Sequence, residues 1–362
     1  NILLNKSDQY ENNDLTSMYG RQDNRMQETL DITRSQKPQS LNQEFKLYFT
    51  LADDHIFSFE AQHLDQEENP FSRAIRDRNP FTRLIPFSSS VNKYDVTQER
   101  LVHTAKLEAK LDYYYLLNDT SNINLSLGVT DVGQDFDSSF FQILDNGSLL
   151  NFNDPTFNND VNFDFSDAYI ALNYRLRTGI FTIDPGLTLH YYKTKNTQLG
   201  SSFERNISDV RPNLRINLQF KKSESLRLTY RKNTQFTDIN NLAEGFVFNN
   251  YNSIFQGNRE LEAAIVNNYN LNYRSINQFT FTNIFANANY SKRSNSIQSR
   301  ANINGIDAIR TSTNSNFPRE TYSLSGRIDK RFKNFKLNFS TRFNFSDFTN
   351  EVNNQIRNSK SL

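Results

Sequence analysis

The 362-residue sequence predicts an all-β fold, an antiparallel up-and-down transmembrane β-barrel of which about 13–14 strands are visible. Three observations carry that expectation. Apolar and polar residues alternate with a period of two in one segment after another, and no segment of ~10 residues shows a helical period. Short polar turns alternate with much longer loops, the end-to-end asymmetry of a membrane-spanning barrel. Several alternating segments run ~10–16 residues, beyond the ~5–6 usual in soluble sheets and long enough for a tilted strand to cross an apolar band ~25 Å tall.

Taken in order, residues 1–23 are polar and show little pattern. Met26 to Arg34 reads as a first strand, broken at Lys37-Pro38. Phe45, Leu47, Phe49 and Leu51 alternate with Glu44, Lys46, Tyr48 and Thr50, turn at Ala52 to His55, and return through Phe57, Phe59 and Ala61. From about Asp65 to Tyr94 the chain reads as a loop, because Pro70, Pro80 and Pro86 cannot donate to a central ladder. The longest strand follows. Leu101, Ala105, Leu107, Ala109, Leu111, Tyr113, Tyr115 and Leu117 share one face, interrupted by His103, and Thr104, Lys106, Glu108, Lys110 and Asp112 the other. Asn118 to Ser121 turn it into a strand through Ile123, Leu125, Leu127 and Val129. A second long loop, rich in Asn, Asp and Phe, spans about Gln134 to Phe163.

Ala168 to Leu176, a turn at Arg177-Thr178-Gly179, and Phe181 to Tyr191 form the next hairpin. The clearest unit runs from Arg211 to Arg274. Leu214, Ile216, Leu218 and Phe220 alternate with Arg215, Asn217, Gln219 and Lys221; Lys222 to Ser225 turn the chain; Leu226, Leu228 and Tyr230 alternate with Arg227, Thr229 and Arg231. After a long loop, Tyr269, Leu271 and Tyr273 resume the pattern. A turn at Ser275 to Gln278 leads to Phe279, Phe281 and Phe285. Residues 294–319 leave room for one strand near Ser299 to Ile309. Tyr322, Leu324 and Ile328, a turn at Lys330 to Asn334, and Phe335 to Phe345 close the visible pattern, with no closing strand in NQIRNSKSL. Tight turns therefore fall near 53, 119, 178, 223, 277 and 333, opposite the long loops 66–93, 136–162 and 237–262.

The composition bounds the alternatives. Tyr (17) and Phe (31) are frequent, Trp and Cys absent, so aromatic girdles must be built from Tyr and Phe, and disulfide frameworks and thiolate zinc sites are excluded. A net charge of +1 gives nucleic acid no basic patch to bind. Mean hydropathy is −0.72, and no apolar run of ~18 residues provides a transmembrane helix; strands need only alternate positions apolar. The four histidines, 55, 63, 103 and 190, form no ligand-spaced pair, and no nucleophile elbow or phosphate loop occurs, so no metal, cofactor or catalytic residue is expected. The acidic stretch His63 to Glu68 reads as a solvated rim sooner than a Ca²⁺ loop. The chain starts at Asn1 without Met or a signal peptide and reads as a fragment or a processed chain.

Two segments go further. Gly257-Asn258-Arg259-Glu260-Leu261-Glu262, lying between the strand Leu226 to Arg231 and the strand Asn267 to Tyr273, resembles the Gly-Asn-Pro-x-Leu-x-Pro-Glu loop of TonB-dependent receptors from the Bacteroidota, and Phe57 to Phe71 resembles another segment of that family. Arg259 stands where the family usually has Pro, Ala263 replaces a second Pro, and Ala264 the usual Glu. The resemblance covers most of the chain. It implies a 22-strand barrel of which residues 1–362 are an incomplete part, with the plug domain and TonB box outside it. It also implies uptake of a nutrient across the outer membrane. The implied partners are outer-membrane lipid, the TonB energy-coupling complex acting through the plug, a surface lipoprotein, and a ligand the sequence does not name. Lys106, Glu108, Lys110, Asp112, Arg215 and Arg227 are the lumen-facing candidates, and Gly257, Asn258, Leu261 and Glu262 the motif-loop candidates. The alternative is a structural, adhesion or assembly-scaffold barrel without transport.

Overall fold

A computed structural model of the chain describes residues 1–19, 26–79, 81, 84–152, 154–250, 252–304 and 307–361. In order, its strands are β1 (Ile2–Lys6), β2 (Gln9–Tyr19), β3 (Met26–Gln36), β4 (Gln39–Ala52), β5 (His55–Glu68), β6 (Phe71–Arg76), β7 (Tyr94–Asn118), β8 (Ser121–Ile143), β9 (Leu149–Asn151), β10 (Asn159–Thr178), β11 (Phe181–Gln198), β12 (Ser201–Lys221), β13 (Glu224–Gln235), β14 (Phe246–Asn250), β15 (Ser253–Gln256), β16 (Ala264–Asn277), β17 (Thr282–Ser294), β18 (Ile297–Asn304), β19 (Asp307–Asn314), β20 (Arg319–Phe332), β21 (Phe335–Val352) and β22 (Gln355–Ser361). A 3₁₀ turn (Pro155–Phe157) and one short helix, α1 (Ile239–Leu242), interrupt them.

The 22 segments assemble into a meander of fourteen wall strands. β1 and β2 run on as one strand, as do β3 and β4, broken at Pro38, and β5 and β6, broken at Pro70. Each wall strand pairs antiparallel with its neighbour in the chain, through β7, β8, β10 to β13, β16, β17, β20 and β21 to β22. The other five segments, β9, β14, β15, β18 and β19, belong to the loop end. Among the described residues, no pairing joins β1 or β2 to β21 or β22, so the sheet stays open.

Every expected tight turn is present, and all six lie at one end: 53–54, 119–120, 179–180, 222–223, 278–281 and 333–334. Gly179 (φ +55°) and Lys333 (φ +44°) hold the left-handed backbone that such turns require. The loop end differs from expectation in several places. β8 runs on to Ile143 and β10 begins at Asn159, with β9 between them, so much of the loop expected over Gln134 to Phe163 is ladder. Residues 1–19 form β1 and β2 although no alternation marks them: Ile2, Leu3 and Leu4 follow one another in β1 and most of β2 is polar, and backbone ladder bonds pair them with β4 and β3. Residues 65–94 contain the end of β5 and all of β6; Pro70 falls between these two segments and Pro86 after β6, and Pro80 lies outside the described residues. Residues 297–314 form two strands instead of one. QIRNSKS forms β22, turned at Asn353-Asn354 with φ of +49° and +62°, a conformation that Asn tolerates.

The wall's two faces are chemically distinct. Register places Ile216, Leu228, Leu271, Ala288, Leu324 and Phe343 in one row across six neighbouring strands, with no protein packed over them. Leu214, Ile216, Leu218, Phe335, Leu337 and Phe339 all share this outer face; Phe335 is 78% exposed. One layer toward the loops, Tyr230, Tyr269, Tyr290, Tyr322 and Phe345 stack in a ladder with centroids 4.8, 5.8, 4.7 and 6.1 Å apart. The next layer is Asn267, Lys292, Glu320 and Asp347. An apolar band capped by an aromatic row and then by charges is the profile of a wall in a bilayer, and tyrosine here builds the girdle that tryptophan often does.

Among the described residues the packed core clusters lie at the loop end, on the inner face. Ala74, Phe81, Ile85, Phe87, Val96, Phe140, Phe152, Phe157, Phe246, Phe248 and Ile254 form one cluster. Val102, Phe136, Val161, Phe163, Ile239, Leu242, Ala243, Val247 and Leu261 form a second.

Candidate functional site

The lumen wall and its mouth are the places where this fold presents chemistry. On β7, the inward row Lys106, Glu108, Lys110 and Asp112 is paired along the strand: Lys106 Nζ lies 2.9 Å from Glu108, and Lys110 Nζ 2.7 Å from Asp112. The Ser126 hydroxyl donates to the buried Asp112 carboxylate from β8. Arg215 on β12 stands 3.9 Å from Asp184, which also holds Arg175 at 2.7 Å. Arg227 lies on the same inner face of β13, opposite Asn217 and Asn272, apart from the β7 row.

Between these candidates runs an aromatic strip that alternation alone did not single out. The Tyr169 ring lies over Gly128, where any Cβ would come within 2.2 Å of it, so glycine makes room for the ring. Tyr169 is followed by His190 and Tyr192, with ring centroids 5.1 Å apart at each step, and the Arg211 guanidinium covers Tyr192. His190 Nδ1 and Asp167 are 2.9 Å apart, and Asp209 accepts from Arg211 and Lys232.

The loop after β13 turns inward and packs against the inner face of β7, β8, β10 and β11. Inward amide side chains hold its backbone. Gln98 donates to the Phe246 carbonyl (2.8 Å) and accepts from the Phe248 N–H (2.7 Å). Asn159 accepts from the Gly245 N–H (2.8 Å). Gln198 donates to the Leu242 carbonyl and accepts from the Glu244 N–H, both at 2.9 Å. Each amide matches one backbone donor or acceptor in a buried setting where an unmade bond costs about 1–3 kcal/mol. In the sequence Asn159 falls within the loop expected over Gln134 to Phe163, and Gln98 and Gln198 lie outside the expected strands.

The motif loop closes this mouth segment. Gly257 N–H donates to the Ala243 carbonyl (2.7 Å) and Asn258 N–H to the Asn241 carbonyl (2.8 Å). A Cβ at Gly257 would lie 2.4 Å from the Ala243 oxygen and 2.6 Å from the Asn241 oxygen, both backbone atoms. Leu261 is buried in the second cluster. Glu262 exchanges backbone bonds with the Asn314 amide, at 2.8 and 2.9 Å. Arg259, the departure from the family pattern, reaches Glu244 (2.6 Å) and Ser201 (2.7 Å) and ties the loop to the β11–β12 turn. Among the described residues, no group of three or more His, Cys, Asp or Glu is placed to hold a metal ion.

Gly257→Val should therefore release the mouth segment. Limited proteolysis of the full-length gene product in detergent should cut within 236–262 at least ~10-fold faster than in the wild type, the rate expected for losing ~1.4 kcal/mol or more of local stability. Gly133→Ala is the control, since its nearest neighbour is 3.9 Å from the added Cβ. Equal rates for both variants would show that the clasp does not hold the loop.

The open arc of antiparallel strands, the girdled apolar exterior and the polar lumen define a β-barrel protein of the outer membrane. The chain belongs to the outer membrane protein beta-barrel family, which it matches over residues 49–362. No curated protein is similar to it in sequence. Its fold is similar to that of the copper transporter OprC, with a TM-score of 0.50 at 11% identity over 95% of this chain and 60% of that one. It is also similar to the ferric yersiniabactin uptake receptor FyuA from Yersinia pestis, with a TM-score of 0.51 at 12% identity over 89% of this chain and 44% of that one. The chain thus spans about half of the solved structures it matches.

Proposed function

We propose that the chain is part of the barrel of an outer-membrane TonB-dependent transporter, of the type found in the Bacteroidota, which takes up a nutrient ligand. The observation that carries this is the unclosed arc. Fourteen wall strands in unbroken succession do not meet, so the full circle needs more of them. A barrel of about 22 strands encloses a lumen too wide to stand open and is plugged. The inner face suits such a filling, being polar and charged where a small solid barrel would need apolar side chains. The plug, the TonB complex that pulls on it, a surface lipoprotein and the ligand are the partners in this reading. The wall residues supply no catalysis.

A strain lacking the gene should lose growth on at least one limiting nutrient, and deleting the inner-membrane energy-coupling protein should reproduce the loss. Unimpaired growth on every source combined with altered surface adhesion would favour the scaffold alternative. Residues 1–362 alone, refolded in detergent, should give no heat-modifiable band. The lower halves of β4 and β21 would leave unpaired backbone groups at several kcal/mol each in hydrocarbon. A stable heat-modifiable species would show that these strands close among themselves. Protease added to intact cells should cut within 66–93, 136–162 or 237–262 and spare the six tight turns; cleavage at the turns alone would reverse the orientation.

A further inference from the structure

The two halves of the lumen wall differ in charge balance. On β7, β10 and β12 most inward cations have partners: Lys106 with Glu108, Lys110 with Asp112, Arg175 and Arg215 with Asp184, and Arg211 with Asp209; Arg100 and Arg177 are the exceptions among the described residues. On β13, β16, β20 and β21 most do not. Arg227, Arg274, Arg327 and Arg342 line one basin of about 800 Å³ near the tight-turn end. Arg327 pairs with Asp329 at 2.9 Å; among the described residues no carboxylate lies within ion-pair distance of Arg227, Arg274 or Arg342. Register gives the basin its shape. Arg227, Asn272, Asn287, Ser325 and Arg342 fall in one row, with arginine at both ends and amides and a hydroxyl between them. Arg274, Phe285 and Arg327 form the next row toward the turns. At ~4.8 Å per strand the outer pair is ~19 Å apart at the backbone and the inner pair ~10 Å. The four long side chains thus surround a floor of Asn and Ser.

We propose that this basin is a binding site for a polyanionic solute, one carrying at least two carboxylate or phosphate groups on a hydrogen-bonding body. The guanidinium fork binds such groups in bidentate fashion. The Asn and Ser floor offers donors and acceptors to the uncharged part of the solute. The volume falls in the range of about 300–1,000 Å³ typical of small-molecule sites. Unpaired cations on a low-dielectric wall also focus the field and concentrate anions in the lumen. This assignment of a ligand class rests on the transport reading, but its test is a binding measurement that does not depend on uptake.

The full-length gene product, purified in detergent from outer membranes, is titrated with inorganic tripolyphosphate by isothermal calorimetry. The wild type should bind with an affinity that falls steeply with salt. Arg227→Gln combined with Arg342→Gln should weaken binding at least tenfold, and Arg175→Gln, which removes a paired lumen arginine, less than twofold. Heat-modifiable migration of each variant confirms folding. No binding by the wild type, as when an acidic segment of the protein itself fills the basin, overturns the proposal, as does an equal loss in the double variant and the Arg175 control. Binding without nutrient uptake would leave the site intact and remove the transport reading; uptake without binding would do the reverse.

Discussion

Phe140→Ala should cost about 3–5 kcal/mol of local stability, the range for removing a fully buried phenylalanine ring. Phe140 is 1% exposed on the inner face of β8 and meets Phe87, Phe152, Phe157 and Phe248, with ring centroids 5.8–6.5 Å apart. Those rings come from three separate loop-end segments, so the cavity loosens all of them together. The ladder below is untouched, and the loss should appear as local opening. Amide hydrogen exchange at 246–250 should speed up by about two to three orders of magnitude, since each 1.4 kcal/mol is a factor of ten. Phe335→Ala, on a residue 78% exposed to the outside, should leave those amides unchanged. Unchanged exchange in the Phe140 variant would mean that the mouth is not packed as described.

The second large effect is on the lipid face. Leu271→Arg should destabilise the folded barrel by about 2–4 kcal/mol in lipid vesicles, the depth-dependent cost of arginine near the bilayer midplane. Leu271 lies between Leu228 and Ala288 in the middle of the apolar band, one layer below the tyrosine ladder. Its neighbour is the contrast: Asn270→Arg points into the lumen and should change stability by less than about 1 kcal/mol. Urea unfolding of the full-length gene product in vesicles checks both. Equal destabilisation would mean that the two faces of β16 are not lipid and lumen.

How far the sequence is legible follows the bilayer. Within the apolar band one face of each strand must be hydrophobic, so the membrane writes a period of two into β4, β5, β7, β12, β13 and β21, and their turns were readable to within a residue or two. Above the band that pressure ends. β2 and β22 are mostly polar and β1 carries Ile2, Leu3 and Leu4 in succession; all three strands are held by ladder bonds that any sequence can make, so alternation does not reveal them. Pro70 was rightly read as a break, yet β6 resumes directly after it, because a proline between two segments costs the ladder only one donor.

The same division holds for the candidate site. That Lys106, Glu108, Lys110 and Asp112 share one face of β7, and Leu214, Ile216 and Leu218 one face of β12, follows from parity alone. What parity does not contain is which distant residues share a level. The tyrosine ladder joins positions 230, 269, 290, 322 and 345. The arginine basin joins 227, 274, 327 and 342. Both depend on strand register, which the turns and loop lengths set and which a shift of one residue would invert. Gly257 was legible as a motif residue, but the reason for glycine there, two carbonyl oxygens where a Cβ would go, exists only once the loop has folded back across the mouth. The sequence alone determined the wall, its two faces and its turns, because those are local responses to lipid on one side and water on the other. The tertiary structure alone decided the mouth core, the amide clamps and the grouping of charges, because each is a contact between segments that only the assembled ladder brings together.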